Sequence, residues 1–405
     1  MHDGNNVLSQ FLDFSPGPVD EVRVFFAPGR VNLIGEHTDY NGGHVFPGAL
    51  TLGTWVFVRP RRDPVYRFAS TAFPLQVRVD GPAFQYRAED DYANYPKGVL
   101  WALQEEGLQL PGADLFFHGN LPGGAGLSSS ASVEVATAFA MNALVGGGLS
   151  TERLARLSQR AENEFVGVNC GIMDQFAVAM GQAGSALLLN CRTLKYRAVP
   201  VRAPGYRFVI THTNKRRGLA DSKYNERRAE CEAALAQLRT VRKDLTCLAD
   251  LSKEEWNALA WHLKDDVLQR RARHVVTENA RTLEAARRLA AGDLPGFGQL
   301  MNESHISLRD DYEVTGPELD ALVEAAWQTE GCLGSRMTGA GFGGCTVSLV
   351  RETAVERFQD EVARQYERAT GLAPTFYVTD LGAGVREVTA EIEGLYMMGE
   401  GKIES

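Results

Sequence analysis

The sequence predicts an α+β fold in two domains, and three features support this. The chain has 405 residues, more than one hydrophobic core usually serves. Strand-like apolar segments alternate with helical patterns in its first half, whereas long, charged amphipathic helices dominate from about residue 222 to 294. Chain order therefore predicts an N-terminal domain of residues 1–190 and a C-terminal domain of residues 191–405, with the last strands free to return to the first domain.

Apolar periodicity locates the main elements of both domains. The predicted strands are residues 22–27, 54–58, 115–118, 186–189, 208–211, 346–350 and 375–379. The predicted helices are residues 95–106, 128–145, 151–165, 226–238, 274–291 and 354–370. Strands and helices mixed in this order predict mixed β-sheets with helices packed on them.

Composition and charge narrow the possible functions. The formal net charge of −9 and the short, scattered basic stretches argue against a nucleic-acid partner. Apolar runs fall well short of the roughly 20 residues of a membrane helix, and the N-terminal pattern is not that of a signal peptide. The 6 cysteines include no C-x-x-C pair, which is typical of a reduced chain without a disulfide frame or zinc site. We expect a cytoplasmic protein with no membrane partner and, since coiled-coil heptads are lacking, a monomer.

The most informative run, residues 29–43, follows an apolar strand and places hydrogen-bonding side chains between glycines. Five of them could hold a polyol: Arg30, Glu36, His37, Asp39 and Asn41. A sugar site needs such a set, because every buried hydroxyl must find a partner or cost binding free energy. A solvated polar turn is the alternative. Folding alone seldom requires so many polar side chains in one loop, so the run favours a polyol-binding site.

A glycine-rich loop at residues 121–127 leads directly into a helix that begins with three serines at 128–130. Glycine lets the backbone approach a phosphate closely, and the free N–H groups and dipole of a helix start favour its negative charge. The serine hydroxyls add donors, and one of them could ligate a metal ion. The Walker pattern G-x-x-x-x-G-K-[ST] is absent, so this is a phosphate loop of another kind or a simple glycine turn.

A second glycine run, residues 339–344, formally matches the G-x-G-x-x-G fingerprint of dinucleotide-binding proteins. That fingerprint must open a helix, whereas this run precedes a strand-like segment at 345–349. We therefore exclude a Rossmann domain. The run predicts either a structural tight turn or a loop that packs beside the active site.

Acidic residues surround a short helix in the block at residues 161–176. Asp174 lies in the first turn of that helix, where an acid can simply favour the positive helix end. Glu162 and Glu164 precede it on different faces of another helix. The residues alone do not choose between these two glutamates as a functional carboxylate.

These runs together resemble the galactokinases of the GHMP family of small-molecule kinases. The resemblance extends from about residue 25 to 384 and includes the segments 213–215 and 222–228. It implies a two-domain GHMP-kinase-like fold with mixed β-sheets, packed helices and an active site between the domains. It also implies that the 339–344 loop packs near the phosphate loop.

The resemblance also implies a role for individual residues. Asp174 would be the catalytic base, and Arg30 would lie beside it and stabilise developing charge. The sugar would be bound by Glu36, His37, Thr38, Asp39, Gly171 and Tyr224. The nucleotide would be bound by Ser70, Gly124, Ala125, Gly126, Leu127, Ser128, Ser129 and Ser130. Mg²⁺ would be held by Ser130 and Glu162.

The reaction that the resemblance implies is Mg²⁺-dependent transfer of the ATP γ-phosphate to the C1 hydroxyl of α-D-galactose, the first committed step of galactose catabolism. A related kinase acting on N-acetylgalactosamine or arabinose is one alternative. A galactose sensor without activity on the same fold is the other. Such a sensor is expected to have a damaged phosphate loop, whereas residues 126–132 are intact here.

Overall fold

The computed structural model describes residues 4–215, 220–392 and 394. The strands are β1 (Arg23–Asn32), β2 (His44–Val45), β3 (Pro47–Pro60), β4 (Val65–Ser70), β5 (Val77–Asp80), β6 (Ala113–Gly119), β7 (Ser185–Asn190), β8 (Tyr196–Pro200), β9 (Tyr206–His212), β10 (Cys332–Thr338), β11 (Cys345–Arg351), β12 (Thr375–Thr379) and β13 (Arg386–Glu387). The helices are α1 (Gly4–Phe14), α2 (Asn94–Glu105), α3 (Ser129–Leu144), α4 (Thr151–Arg160), α5 (Met173–Met180), α6 (Ala220–Leu238), α7 (Lys253–Leu259), α8 (Asp266–Ala291), α9 (Leu294–Ser307), α10 (Pro317–Gln328) and α11 (Val355–Thr370). Within the described residues, none of these helices has the length and apolar character needed to cross a membrane.

A six-stranded mixed sheet organises the first half of the chain, in the order β13-β1-β3-β6-β4-β5. The β4 and β6 strands run parallel, and the other neighbouring strands are antiparallel. One face packs against α2, α3 and α4, where Phe25 and Leu115 share a core with Val135 and Leu154. The other face packs against α1 through residues such as Phe11 and Phe57. Aromatic and β-branched residues that alternate along these strands supply both cores.

Two further sheets complete the fold. The second half of the chain forms an antiparallel sheet in the order β10-β11-β9-β12, on which α9, α10 and α11 pack. A smaller antiparallel sheet has the order β2-β7-β8. One apolar cluster joins Val31 and Leu127 to Val347 and Ala285, so the core continues across the region where the large sheets meet. The predicted α+β class is confirmed.

The structure corrects two local predictions. The polar run after residue 28, predicted as a loop, begins inside β1, because a bulge between Pro28 and Arg30 lets pairing continue to Asn32. The helix predicted to end near residue 165 changes at Arg160 into a wider π-helical turn over Ala161–Val166. Such turns are frequent at functional sites because they re-aim side chains. The division at residue 190 stays a prediction, and β13 at the C-terminal end pairs with β1.

Candidate active site

The candidate active site is a cleft of about 280 Å³ beside the end of β1, the start of α5, α6 and the loop between β10 and β11. Eight predicted residues line it: Arg30, Glu36, His37, Asp39, Glu162, Gly171, Asp174 and Tyr224. These residues lie far apart in the chain, so folding brings them together. A concave site with several convergent charged groups is the usual form of a small-molecule site.

Arg30 and Asp174 form a bidentate ion pair in this cleft. Arg30 Nε and Nη2 donate to the two carboxylate oxygens of Asp174, each at 2.8 Å, and Nη1 donates to the carbonyl of Gly126 at 2.7 Å. Burial alone would lower the pKa of Arg30, but the carboxylates of Asp174 and Glu36 raise the pKa above its ordinary value. Arg30 is therefore a cation that joins the predicted base to the glycine-rich loop.

Ser128 also contacts the carboxylate of Asp174. Its hydroxyl donates to Asp174 Oδ2 at 2.6 Å. The residue has a φ of +63° just before α3, an uncommon backbone conformation for a residue with a side chain. The resemblance implied that Ser128 binds the nucleotide. Because its hydroxyl is committed to Asp174, only its backbone is available for a phosphate.

Asp39 lies directly against Gly171 in the cleft. A Cβ placed on Gly171 would lie 1.9 Å from Asp39 Oδ2, so this approach requires glycine. Burial, reinforced by the charges of Asp174 and Glu36, raises the pKa of Asp39 to about 6. Asp39 is thus a half-buried hydrogen-bond acceptor whose protonation lies close to neutral pH.

Glu36 is 2% exposed and is held from the C-terminal part of the chain. Its Oε1 accepts a hydrogen bond from the Gly339 N–H at 2.8 Å and another from Arg336 Nη1 at 3.3 Å. Gly339 begins the second glycine-rich run, and Arg336 lies just before it on β10. Because both bonds fall on Oε1, the second carboxylate oxygen is the one that can serve a ligand in the cleft.

His37 lines the cleft, but protein groups occupy both of its ring nitrogens. Nε2 lies 3.1 Å from the carbonyl of Ala340, which can only accept, so Nε2 carries the hydrogen. Nδ1 therefore accepts from the Tyr40 hydroxyl at 2.8 Å. Burial lowers the pKa of His37 to about 3, which keeps the ring neutral. The predicted sugar contact by His37 would have to use a ring edge rather than a nitrogen.

Two other polar side chains of the same run shape the loop. The Thr38 hydroxyl bonds with the carbonyls of Gly35 at 2.9 Å and His44 at 2.7 Å. Asn41 Nδ2 donates to the carbonyl of His37 at 2.9 Å. Thr38 was predicted to bind substrate, yet its side chain is fully buried in these contacts. Any contact between Thr38 and a substrate must therefore come from its backbone.

Tyr224 of α6 forms an aromatic wall of the cleft. Its ring lies 5.6 Å from the His37 ring and 5.4 Å from the Tyr40 ring, measured between centroids. Burial raises the pKa of Tyr224 well above its ordinary value, so the hydroxyl stays protonated and can donate. The resemblance assigned Tyr224 to the sugar, and the structure gives it both packing contacts and a place in the cleft.

The glycine-rich loop offers its backbone rather than its side chains. Ala125 and Leu127 are 1% and 2% exposed, and both side chains belong to the core between the sheets. Gly124 and Ser129 are exposed beside them. The predicted nucleotide contacts of Ala125 and Leu127 can therefore come only from their main-chain atoms, as expected where a loop and a helix start bind a phosphate.

Two further predictions concern the second glycine run and Ser70. A Cβ placed on Gly339 would lie 3.2 Å from the carbonyl of Gly126, so the second glycine run packs closely against the first, as predicted. Ser70 ends β4 opposite Phe117 of β6, the strand that leads into the loop. Its Oγ accepts from the Ala72 N–H at 3.1 Å. Ser70 lies outside the residues that line the cleft.

The structure distinguishes the two candidate metal-binding glutamates. Glu162 is 6% exposed and lines the cleft, and interaction with the Ser130 side chain favours its charged form, which acts to lower its pKa. The side chain of Glu164 is 56% exposed and forms a surface ion pair with Arg160 at 2.9 Å. The π-helical turn positions the two side chains in these different environments. The geometry therefore favours Glu162, the choice that the resemblance implied.

Sequence reasoning missed a second carboxylate behind Glu162. Gln175 Nε2 donates to Glu162 Oε2 at 2.6 Å and to Glu134 Oε2 at 3.0 Å. Burial and the charge of Glu162 raise the pKa of Glu134, and burial and the charge of Asp174 raise the pKa of Glu162. Glu134 lies four residues after Ser130, one helical turn along the same face of α3. That four-residue spacing was the sequence signal that could have identified Glu134 as part of the site.

Comparison with known proteins supports the class that the fold and the cleft define. The family model of the GHMP kinases N terminal domain matches residues 94–182, and that of GHMP kinases C terminal matches residues 282–368. The fold is similar to that of Methanococcus jannaschii mevalonate kinase, with a TM-score of 0.61 at 18% identity over 88% of this chain and 98% of that one. The protein is a GHMP kinase.

More specific matches place it within that class. The galactokinase galactose-binding signature matches residues 12–60. Galactokinases of Halalkalibacterium halodurans and Bacillus subtilis are 52% and 48% identical to this chain, covering 94% and 93% of it and 97% of each relative. The crystal structure of Lactococcus lactis galactokinase complexed with galactose matches with a TM-score of 0.92 and 43% identity, over 95% of this chain and 99% of that one. The chain belongs to the galactokinase family, and the predicted resemblance is confirmed.

Proposed function

We propose that this chain transfers the γ-phosphoryl group of ATP to the C1 hydroxyl of α-D-galactose. The observation that carries the proposal is the junction formed by Asp174, Arg30 and Ser128. It connects a cleft lined by the residues predicted to bind the sugar to a glycine-rich helix start. An acceptor hydroxyl in the cleft would meet a phosphoryl donor at this junction. Relatives named galactokinase, with about half their residues identical, support the choice of reaction.

Asp174 is proposed to orient the acceptor hydroxyl and to take its proton. Three donated hydrogen bonds hold its carboxylate in place, and a sugar hydroxyl is a far weaker acid than a carboxylic acid. Proton transfer would therefore come late, once bonding to phosphorus has made the hydroxyl acidic. Such timing fits the loose transition state of phosphoryl transfer, in which positioning and charge neutralisation dominate.

Arg30 is proposed to stabilise the charge that develops between acceptor and phosphate. Its guanidinium bonds with Asp174 on one side and with the Gly126 carbonyl of the loop on the other. A fixed cation in a partly buried site costs little reorganisation as the reaction proceeds. The same contacts keep Asp174 in the orientation that the acceptor requires.

The sugar is proposed to lie against Glu36, Asp39, Gly171 and Tyr224. The free oxygen of Glu36 and the carboxylate of Asp39 are acceptors for sugar hydroxyls, and the Tyr224 hydroxyl is a donor. A sugar that differs at one hydroxyl would leave one of these buried groups unpaired, at a considerable cost in binding free energy. This arrangement supports selection of one sugar among close isomers.

The nucleotide is proposed to bind at the glycine-rich loop together with Mg²⁺. Ser130 and Glu162 would hold the ion, and their hydroxyl and carboxylate oxygens are the ligands that Mg²⁺ prefers. When bound, the ion would neutralise charge on the phosphates. The chain's own contribution would be the N–H groups at the start of α3, which are available to bind a phosphate.

The decisive test is a coupled assay of ADP release with ATP, Mg²⁺ and a panel of free sugars. We expect rapid release with galactose and much less with glucose. Comparable turnover of glucose would contradict the proposed specificity. Faster turnover of N-acetylgalactosamine or arabinose would identify a related sugar kinase. Galactose binding without ADP release would identify a sensor.

We also propose a cytoplasmic monomer with two domains divided near residue 190 and with no nucleic-acid or membrane partner. The formal charge of −9 supports the absence of a nucleic-acid partner. Light scattering behind a sizing column tests the monomer. A mass near 88 kDa, twice the chain mass of 44.3 kDa, would contradict it.

A further inference from the structure

Arg336 is the largest side chain that is fully buried in the described residues, and it lies on β10 at the meeting of the two halves of the chain. Its Nη1 donates to the carbonyl of Asn32 at 3.1 Å and to Glu36 Oε1 at 3.3 Å. Its Nε donates to Ser304 Oγ at 3.1 Å. The guanidinium thus bonds at once with the end of β1, with the predicted sugar-binding Glu36 and with α9.

A second acid supports this arrangement from α8. Glu278 Oε1 accepts from the Gly35 N–H at 3.0 Å and from Ser304 Oγ at 2.6 Å, and it lies 4.0 Å from Arg336 Nη2. Burial alone would raise the pKa of Glu278, but nearby cations, Arg281 first, lower it to about 2. Glu278 is therefore a permanent anion that fixes the backbone just before Glu36.

The backbone of the polar run at residues 29–43 is held on its other side as well. His274 Nε2 donates to the carbonyl of Glu36 at 3.1 Å, and burial lowers the pKa of His274 to about 4. The Thr338 hydroxyl lies 3.0 Å from the Asn32 carbonyl and 3.1 Å from the Asn32 N–H. Main chain and carboxylate of Glu36 are thus both positioned by α8 and β10.

We propose that Arg336 is a positioning residue for sugar recognition, acting through Glu36. It occupies Oε1 and thereby orients Oε2 toward the sugar, so the C-terminal half of the chain sets the specificity of a loop in the N-terminal half. The inference rests on the proposed function, because it assigns Glu36 to the sugar. Lysine cannot replace the forked guanidinium of Arg336, since one ammonium group cannot reach Asn32, Glu36 and Ser304 together.

A double-mutant cycle tests the inference with Glu36→Gln, Arg336→Gln and the double variant. We expect each single change to raise the galactose KM and calorimetric Kd by about tenfold or more, with the MgATP KM changed less than about threefold. The double variant should bind galactose no worse than Glu36→Gln, within about threefold, because Arg336 acts only through Glu36. Losses that multiply in the double variant would overturn the inference.

Arg59→Gln is the matched control, because Arg59 is also a buried arginine but bonds with Ser15 and Pro18 far from the cleft. Its galactose KM should match the wild type, and thermal unfolding of every variant reports loss of fold.

If Arg336→Gln does not fold, the cycle is repeated with Arg336→Lys, which keeps the positive charge but not the forked guanidinium. The same coupling with Glu36→Gln is expected. A wild type that turns over no galactose would overturn the proposed function and this inference together, whereas normal turnover with independent losses would overturn the inference alone.

Discussion

The two sides of the cleft differ in how they present polar groups. On the proposed sugar side, charged side chains such as the buried Glu36 and the half-buried Asp39 face the cleft, and other protein groups contact both of them. On the proposed phosphate side, the side chains of Ala125 and Leu127 are buried in the core, and the glycine-rich backbone remains for the ligand. Sugar recognition should therefore depend on charge and protonation, and phosphate recognition on backbone conformation.

The largest expected effect is at the junction of the two sides. Asp174→Asn keeps the shape of the side chain but cannot accept a proton, so kcat should fall on the order of 10²–10⁴. Galactose affinity should change little, because the amide can still contact the hydroxyl. Steady-state kinetics and calorimetry with galactose measure the two effects separately. If the variant kept most of the wild-type kcat, Asp174 would serve only to stabilise the start of α5.

How much of this could be predicted from the sequence differs between the two sides. Glycines followed by serines at a helix start define a phosphate loop through local chemistry, so that side could be predicted from composition and order. The resemblance supplied Asp174 and Arg30, and the structure places them in contact. The burial of the Ala125 and Leu127 side chains could not be predicted, since it depends on the neighbouring sheet.

Several sugar-side contacts are tertiary and have no local signal. The hydrogen bonds that occupy both nitrogens of His37 involve Tyr40, near in sequence, but also Ala340, some three hundred residues away. The bulge that keeps Arg30 inside β1 depends on pairing with β3. The π-helical turn that separates Glu162 from Glu164 is set by packing rather than by composition. Polar content predicted a binding loop, but not which side chains would be free to bind.

A second prediction tests the metal-binding assignment where the two sides meet. Glu162→Gln should raise the Mg²⁺ concentration for half-maximal activity by about 10–100-fold, because it removes an anionic oxygen ligand. Calorimetry of ATP binding with and without Mg²⁺ gives a readout that does not require turnover. Glu164→Gln is the matched control, since Glu164 lies on the surface, and it should leave both measurements unchanged. Equal effects from the two changes would contradict the assignment of Glu162.

A third prediction tests the dependence of the sugar side on protonation. Asp39 is an acid whose pKa is raised to about 6, so it is protonated below that pH and loses its full capacity as an acceptor. The galactose KM should therefore rise roughly tenfold from pH 7 to pH 5, with a much smaller change in the MgATP KM. In Asp39→Asn the galactose KM should be high and nearly independent of pH. A wild-type KM that stayed flat over this range would show that ionisation of Asp39 is not needed for sugar binding.

The smallest expected effect is on nucleotide binding, and it separates two serines that lie two positions apart at the start of α3. Ser130→Ala should weaken MgATP binding about fivefold, the worth of one hydrogen bond or weak ligand, with the galactose KM unchanged. Ser128→Ala should instead lower kcat with little effect on MgATP, because the Ser128 hydroxyl donates to Asp174. The comparison is made by measuring kcat and the MgATP KM of both variants at several Mg²⁺ concentrations. If both serines changed only the nucleotide KM, the bond from Ser128 to Asp174 would have no part in catalysis. The two serines would then both belong to the phosphate side, and Asp174 alone would act in the chemical step.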